Sequence, residues 1–218
     1  MKFALLTTAA LALALSACSS GDVPVNETTQ PEAAAMTQDA SPAAAEPATL
    51  TAEASIVAQA RACAGAADTA MLTVAAPEGG NQDAATNAAA AIAYLDAVRA
   101  ESCVFELPSG LLFRIRQSAD AGISPISGDL VTVHYRGMFA YGGEFDSSFA
   151  RGEPATFPSN RLIAGWVEAL PLMRVGEAWD LFIAPELAYG SRGTPGGPIG
   201  PDEALVFQLE LIDVPGGN

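Results

Sequence analysis

The sequence is poor in histidine, in basic residues and in long apolar runs, and each shortage excludes a class of function. Its single histidine, His134, has no neighbour that completes a known nucleophile set. Only 10 lysines and arginines stand against 25 acidic residues, which gives a net charge of −15. Nucleic-acid binding depends on neutralising phosphates with basic side chains, so we exclude it. The apolar run "ALLTTAALALAL" near the N-terminus is too short to span a membrane.

That short apolar run belongs to a targeting signal. It follows the basic start "MKF" and ends in "LSAC", which resembles the bacterial lipobox, whose cysteine is lipidated. The pattern predicts a signal peptide over residues 1–17 and a membrane attachment through lipidated Cys18. Ser19 in the next position favours the outer membrane of the envelope, with the protein facing the periplasm. The alternative is an ordinary secretory signal with a chance cysteine.

The rest of the chain divides into regions of different composition. Residues 18–49 are rich in Pro, Ser, Thr, Ala and acidic residues without an apolar period, so they cannot bury enough surface to fold and predict a disordered tether. Residues 50–105 are alanine-rich, and the aromatic residues concentrate in residues 106–214. A tail of residues 215–218 follows. We therefore expect one folded domain with appendages.

The alanine-rich segment predicts two helices. Over residues 50–75 one apolar face is spaced by three or four residues: Ile56, Ala60, Cys63, Ala67, Met71 and Val74. The stretch "PEGGNQ" then interrupts the chain. A second helix over 83–102 carries its own apolar side: Ala88, Ile92, Leu95 and Val98. Such narrow apolar stripes have to be buried against another surface, and a homodimer contact through residues 50–105 is one possibility.

Two cysteines, Cys63 and Cys103, remain after Cys18 is assigned to lipid. The periplasm is oxidising and permits a disulfide. A regular helical hairpin turning near Gly80 would place Cys103 about 10 Å beyond the position opposite Cys63, whereas a bridge needs Cα atoms within about 7 Å. A break at Gly65 would restore the register. A bridge and two buried thiols both stay open.

In the aromatic-rich region, apolar and polar residues alternate with the two-residue period of β-strands. The stretches "LPSGLLFRIRQ", "DLVTVHYRGMF", "EAWDLFIA" and "ALVFQLELIDV" each predict a strand. Between them, "NRLIAGWVEALPLM" has helical spacing and is ended or kinked by Pro171. Several antiparallel strands and one short helix predict an α+β domain in which the helix covers one face of the sheet.

Five motifs resemble, in order and spacing, a known family: "VTVHYRG", "GGEFDSS", "LIAGWVEALPLM", "VGEAWDLFIAPELAYG" and "GGPIGPDEALVFQLELI". They resemble the FKBP-type peptidyl-prolyl cis–trans isomerases over about residues 107–214. The preceding "LPSGLLFRI" and the alanine-rich helices are similar to Mip-type bacterial members. The resemblance implies an FKBP-like α+β fold: a curved antiparallel sheet wrapped around one short helix, preceded by an alanine-rich helical segment, with a pocket between helix and sheet.

The resemblance also implies a site. Its catalytic residues would be Asp146, Tyr135 and Tyr189, and Trp166 would form the floor beneath the prolyl ring. The other substrate-binding residues would be Phe145, Phe157, Leu162, Ile163, Ile199 and Phe207. The partners would be proline-containing polypeptides, and no metal or cofactor is expected because no bond is made or broken.

Plainer interpretations exist for the same residues. Trp166 and Phe207 are equally typical of a core, Asp146 before "SS" is typical of an Asx turn, and His134 is best explained as a structural residue of a sheet. Three functions therefore compete: an isomerase assisting the folding of envelope or secreted proteins, a non-catalytic chaperone or peptide-binding module using the same groove, and a structural lipoprotein. The last is disfavoured because suitable residues fill the apolar pocket positions.

Overall fold

The structure is a computed structural model that describes residues 47–65 and 83–217. The predicted signal peptide, Cys18 and the tether up to residue 46 lie outside the described residues. No helix within the described ranges is long and apolar enough to cross a membrane. The helices are α1 (Pro47–Cys63), α2 (Ala84–Arg99), α3 (Ser148–Arg151) and α4 (Ala164–Ala169). The strands are β1 (Phe105–Glu106), β2 (Leu112–Gln117), β3 (Leu130–Phe139), β4 (Glu144–Ser147), β5 (Ala155–Pro158), β6 (Ala178–Ile183) and β7 (Leu205–Asp213).

The strands form one antiparallel sheet in the order β1-β2-β6-β7-β3-β4, with β5 paired to β3. The four predicted strand regions are confirmed, and so is the α+β architecture with a short helix against the sheet. That helix, α4, ends at Ala169 and continues as a 3₁₀ turn over Leu170–Leu172 that contains Pro171. Gly165 lets α4 lie close to the sheet, because a Cβ there would stand 3.0 Å from the side chain of Ile183.

The sheet is covered on both faces, which explains why β6 is buried along its whole length. On one face, alternate residues such as Trp179 and Leu181 share a core with α4, and Val57 and Ala60 of α1 belong to that same core. On the other face, a second apolar cluster joins α2 to the sheet. Its buried members are Ala91, Tyr94, Val98, Leu112, Met138, Ala140, Phe182, Ala204 and Val206.

The first helix differs from the prediction in length. It ends at Cys63 instead of continuing to residue 75, and a turn over Ala64–Gly65 follows. Gly65 has φ of +76°, a conformation that glycine adopts far more easily than other residues. The predicted face positions Ala67, Met71 and Val74 lie outside the described residues. Because the helix stops here, the chain is not held to a regular hairpin, and the structure joins Cys63 to Cys103 by a disulfide with 5.7 Å between their Cα atoms.

The second helix exists, but its predicted apolar side is only partly correct: Val98 is buried and Leu95 packs against the second cluster, whereas Ile92 does not. Asp83 caps its N-terminus by accepting a hydrogen bond from the Thr86 backbone N–H at 3.0 Å. The residues it buries are Asn87, Ala91, Tyr94 and Val98, whereas Ile92 is 64% exposed. In a helix made largely of alanine the hydrophobic contrast between faces is small, so the docking of Tyr94 against Phe182 decides the rotation instead.

Candidate active site

A cavity of about 530 Å³ opens between α4 and the sheet. Its walls come from β3, β4, β5 and β7, from α4 with the loop before it, and from the loop after β6. The lining residues are Tyr135, Phe145, Asp146, Phe157, Arg161, Leu162, Ile163, Ala164, Trp166, Ala188, Tyr189 and Phe207. The structure thus brings together nine of the ten pocket residues that the sequence suggested. The tenth, Ile199, is buried in the adjoining core and is not among the lining residues.

The apolar part of the cavity is built from rings that meet edge to face. Trp166 lies 5.4 Å from Tyr135 and 5.2 Å from Phe207, measured between ring centroids, with planes nearly perpendicular in both pairs. Phe145 and Phe207 form a similar pair at 5.7 Å. Offset or perpendicular contacts of this kind are favourable for aromatic quadrupoles. Trp166 is only 4% exposed, so it serves the core and the cavity at once.

Gly137 of β3 makes room for these rings. It pairs with Asp146 on β4 and with Phe207 on β7. A Cβ at this position would stand 2.7 Å from ring atoms of Phe145 and 2.8 Å from Phe207. Any larger residue at 137 would therefore displace two walls of the cavity.

The polar corner of the cavity is a three-residue network around Asp146. The Tyr135 hydroxyl donates a hydrogen bond to Oδ2 of Asp146, and Nη1 of Arg151 donates one to Oδ1. The second nitrogen of Arg151 donates to the Tyr135 hydroxyl at 2.8 Å, and the guanidinium lies 5.4 Å from the centre of the Tyr135 ring. Asp146 is therefore held in place on both oxygens.

Electrostatics keep Asp146 charged and its tyrosine neighbours neutral. Burial pushes the pKa of Asp146 upward, but the hydrogen bonds from Tyr135 and Arg151 together outweigh burial and leave the pKa below its usual value. Burial raises the pKa of Tyr135, and its hydrogen bond to Asp146 raises it further. Burial also raises the pKa of Tyr189, with a smaller contribution from the charge on Asp146. At neutral pH the cavity thus presents the Asp146 carboxylate and two neutral tyrosine hydroxyl groups, and the guanidinium of Arg161 also lines it.

Sequence reasoning missed Arg151 and Arg161. Arg151 lies on α3, whose first turn is capped by Ser147, and this turn brings the arginine back towards the end of β4. The signal was a cation five residues after the aspartate in "FDSSFARG". His134, expected to be structural, lies outside the cavity lining: its Nδ1 is 2.9 Å from the Ser148 hydroxyl and its ring stacks on Phe149.

No group of three or more His, Cys, Asp or Glu side chains in the described part of the chain is arranged to hold a metal ion. The cavity can enclose an apolar ring, present a fixed negative charge beside it and donate hydrogen bonds.

Comparison with known proteins identifies this arrangement. A family model described as FKBP-type peptidyl-prolyl cis-trans isomerase matches residues 122–212. The crystal structure of a peptidyl-prolyl cis-trans isomerase from Pseudomonas syringae is 32% identical, with a TM-score of 0.57, and the match covers 62% of this chain and 98% of that one. The chain belongs to the FKBP family. The prediction from the five sequence motifs is thereby confirmed.

Curated FKBP-family relatives include proteins of the Mip type. The peptidyl-prolyl cis-trans isomerase Mip of Coxiella burnetii is 46% identical over 128 residues, which are 59% of this chain and 55% of that protein. The outer membrane protein MIP of Legionella longbeachae is 44% identical over 134 residues, which are 62% of this chain and 57% of that protein. The chain thus matches just over half the length of these relatives.

Proposed function

We propose that this protein is a peptidyl-prolyl cis–trans isomerase that assists the folding of envelope or secreted proteins. The observation that carries the proposal is the coincidence, in one cavity, of a Trp166 floor with aromatic walls and a charged, anchored Asp146. The FKBP-type relatives named above support it.

The physical requirement of the reaction fits such a cavity. Rotation about an X–Pro bond is opposed by a barrier of about 18–20 kcal/mol because the amide is conjugated, and the uncatalysed process takes tens to hundreds of seconds. In the twisted amide conjugation is lost and charge leaves the carbonyl oxygen. Apolar walls favour this less polar state over the planar one, and selective binding of the twisted state lowers the barrier.

Each polar group has a role in this proposal. Asp146 stays ionised, faces the rotated carbonyl and stabilises it through its field, with no proton transfer. The Tyr189 hydroxyl and the backbone N–H of Ile163 anchor neighbouring carbonyls of the peptide. Tyr135 and Arg151 hold the carboxylate in position through the hydrogen bonds described above.

Isomerisation of a short X–Pro peptide, measured by NMR exchange, tests the activity. We expect wild-type protein to accelerate exchange and Asp146→Ala to lose about 10- to 100-fold, which corresponds to about 1.4–2.8 kcal/mol of transition-state stabilisation by the field of the carboxylate. Tyr135→Phe should reduce the rate less. Asp96→Ala removes a carboxylate from the exposed surface of α2 and serves as the matched control.

The same experiment separates the alternative function. A folded wild-type protein that bound the peptide but left its exchange rate unchanged would be a non-catalytic chaperone or binding module that uses this groove. Loss of activity in Asp96→Ala equal to that in Asp146→Ala would show that the effect is not local to the cavity.

The cellular location is proposed from the N-terminal sequence. The lipobox-like "LSAC" motif supports an anchor through lipidated Cys18 in the bacterial envelope, on the periplasmic side and in the outer membrane. The name of the Legionella relative, an outer membrane protein, points the same way. We expect Cys18→Ser to move the protein from the membrane fraction to the soluble fraction. An unchanged distribution would refute the anchor.

The domain boundaries at residues 17, 49, 105 and 214 and the homodimer through residues 50–105 stay predictions. The structure adds one fact about the latter: Val57 and Ala60 of α1, and Ala91 and Tyr94 of α2, are buried against the chain's own sheet domain. A dimer contact would therefore need the outer surfaces of these helices, where Ile92 is exposed. Sedimentation of the mature protein tests it.

A further inference from the structure

The nine arginines of the chain differ in whether they have a partner, and all of them fall within the described residues. Seven form an ion pair or a side-chain hydrogen bond with another described residue: Arg61, Arg99, Arg114, Arg116, Arg136, Arg151 and Arg174. The side chains of the other two, Arg161 and Arg192, form neither within the described ranges.

Both unpaired arginines belong to loops that line the cavity. Arg161 is itself a lining residue, and its backbone N–H donates to the Pro158 carbonyl at 3.1 Å, which fixes the turn that carries it. Arg192 ends the 3₁₀ turn that begins immediately after Tyr189, another lining residue.

The negative charge in the cavity does not neutralise the positive charge of Arg161. The one other ionised side chain among the lining residues is Asp146, and its two oxygens already accept from Tyr135 and Arg151. Asp146 is therefore already paired with Arg151, whereas Arg161 presents an uncompensated positive charge to a peptide bound in the cavity. The guanidinium is exposed and has a rigid donor geometry suited to a carboxylate.

We propose that Arg161 is a specificity-determining residue that favours X–Pro segments carrying an acidic side chain close to the proline. The inference rests on the proposed isomerase function. Arg161 binds the carboxylate of the flanking residue while the prolyl ring occupies the aromatic floor at Trp166. Arg192, on the neighbouring loop, adds a weaker electrostatic attraction for the same acidic side chain.

The net charge of −15 on the whole protein repels an acidic peptide and so opposes the preference proposed for Arg161. At physiological ionic strength the Debye length is about 8 Å, so charges distributed over the surface are largely screened. A direct contact at Arg161 is screened much less. Ion pairs at exposed positions typically change an equilibrium by about 1.4- to 5-fold, and this is the preference we expect.

The test uses peptides capped at both ends, so that the flanking residue carries the one charge that varies. Two pairs differ by Glu against Gln, placed two residues before the proline in one pair and directly after it in the other. The measured quantity is the Glu/Gln ratio of kcat/KM. Arg161→Gln is compared with wild type and with Arg99→Gln, which changes the net charge equally but lies on α2 and pairs with Asp96 and Glu106.

We expect the Glu/Gln ratio in one of the pairs to be about 1.4- to 5-fold higher in wild type than in Arg161→Gln, and unchanged in Arg99→Gln. Arg161→Glu should reverse the preference towards a Lys peptide. Equal ratios in wild type and Arg161→Gln, or an equal fall in Arg99→Gln, or a fall confined to Arg192→Gln, would overturn the assignment to Arg161. Failure to turn over even the Gln peptides would instead refute the proposed function.

Discussion

Replacement of Arg61 by alanine tests whether α1 is a structural part of the FKBP domain. Near the end of α1, Arg61 donates from Nε to Oε1 of Glu177 at 2.7 Å and from Nη2 to Oε2 at 3.2 Å. The same Nη2 donates to the Leu172 carbonyl at 2.7 Å. The Glu177 side chain is completely buried, and that of Arg61 is 20% exposed. The helix is thus fastened to the domain by a bidentate ion pair that water barely reaches.

The size of the destabilisation depends on the hydrogen bonds that Glu177 keeps when the Arg61 side chain is removed. Removing one partner of a buried ion pair costs about 3–5 kcal/mol because the other charge stays buried. Here Glu177 still accepts from the Arg174 backbone N–H and from Trp179 Nε1, each at 3.0 Å, and from the Ala119 backbone N–H at 3.5 Å. These three remaining donors place the cost at the lower end, about 3 kcal/mol. For a domain of 150–250 residues that lowers Tm by about 6–12 °C.

Urea unfolding followed by tryptophan fluorescence, with the disulfide kept oxidised, measures this free energy. The matched control is Arg99→Ala, because Arg99 pairs with Asp96 and Glu106 on the exposed surface of α2 and should cost less than about 1 kcal/mol. If Arg61→Ala proved no more destabilising than this control, α1 would not be stably docked on the domain, and its assignment to the core would be wrong.

Three further predictions concern the cavity and the disulfide. Trp166→Ala should lose about 3–5 kcal/mol of stability together with peptide binding; a variant as stable as wild type would show that Trp166 is not the floor. In Arg151→Gln the pKa of Asp146 should rise, because the positive charge that lowers it is lost. The carboxylate is then protonated at a higher pH, so the acid limb of kcat/KM should move to higher pH; an unmoved limb would exclude this role of Arg151. Reducing the bridge between Cys63 and Cys103, 40 residues apart, should lower the free energy of unfolding by about 4 kcal/mol, and a Cys63→Ser variant should not respond to reductant; equal unfolding curves with and without reductant would refute the bridge.

The sheet and the cavity were predictable because each of their residues carries a strong local signal. Alternation in β3 and β7 marks which residues face inward, and the inward positions Tyr135 and Phe207 meet in the cavity as expected. The "FDSS" motif places Asp146 at the end of a strand. Together these motifs are sufficient to indicate the family from the amino-acid sequence alone.

The remaining features depend on contacts between distant parts of the chain. Nothing in the local sequence of α1 indicates that Arg61 meets Glu177, which lies 116 residues away. The rotation of α2 depends on Tyr94 finding Phe182 on the sheet, and the alanines around it give no contrast of their own. Arg161 in "SNRLIAG" is indistinguishable in sequence from any solvent-exposed arginine. Its importance emerges only when the partners of the other arginines are known.

The two faces of the sheet connect the helical segment to the cavity. Along β7 the side chain of Val206 enters the cluster beneath α2, and the next residue, Phe207, forms a wall of the cavity. Because successive residues of a strand point to opposite faces, the position of Phe207 depends on how firmly α2 holds the other side. On the cavity side, Val57 of α1 and Trp166 of α4 belong to one apolar core. Helices that lie away from the cavity therefore help to fix its shape, and the alanine-rich segment is best understood as part of the domain's architecture.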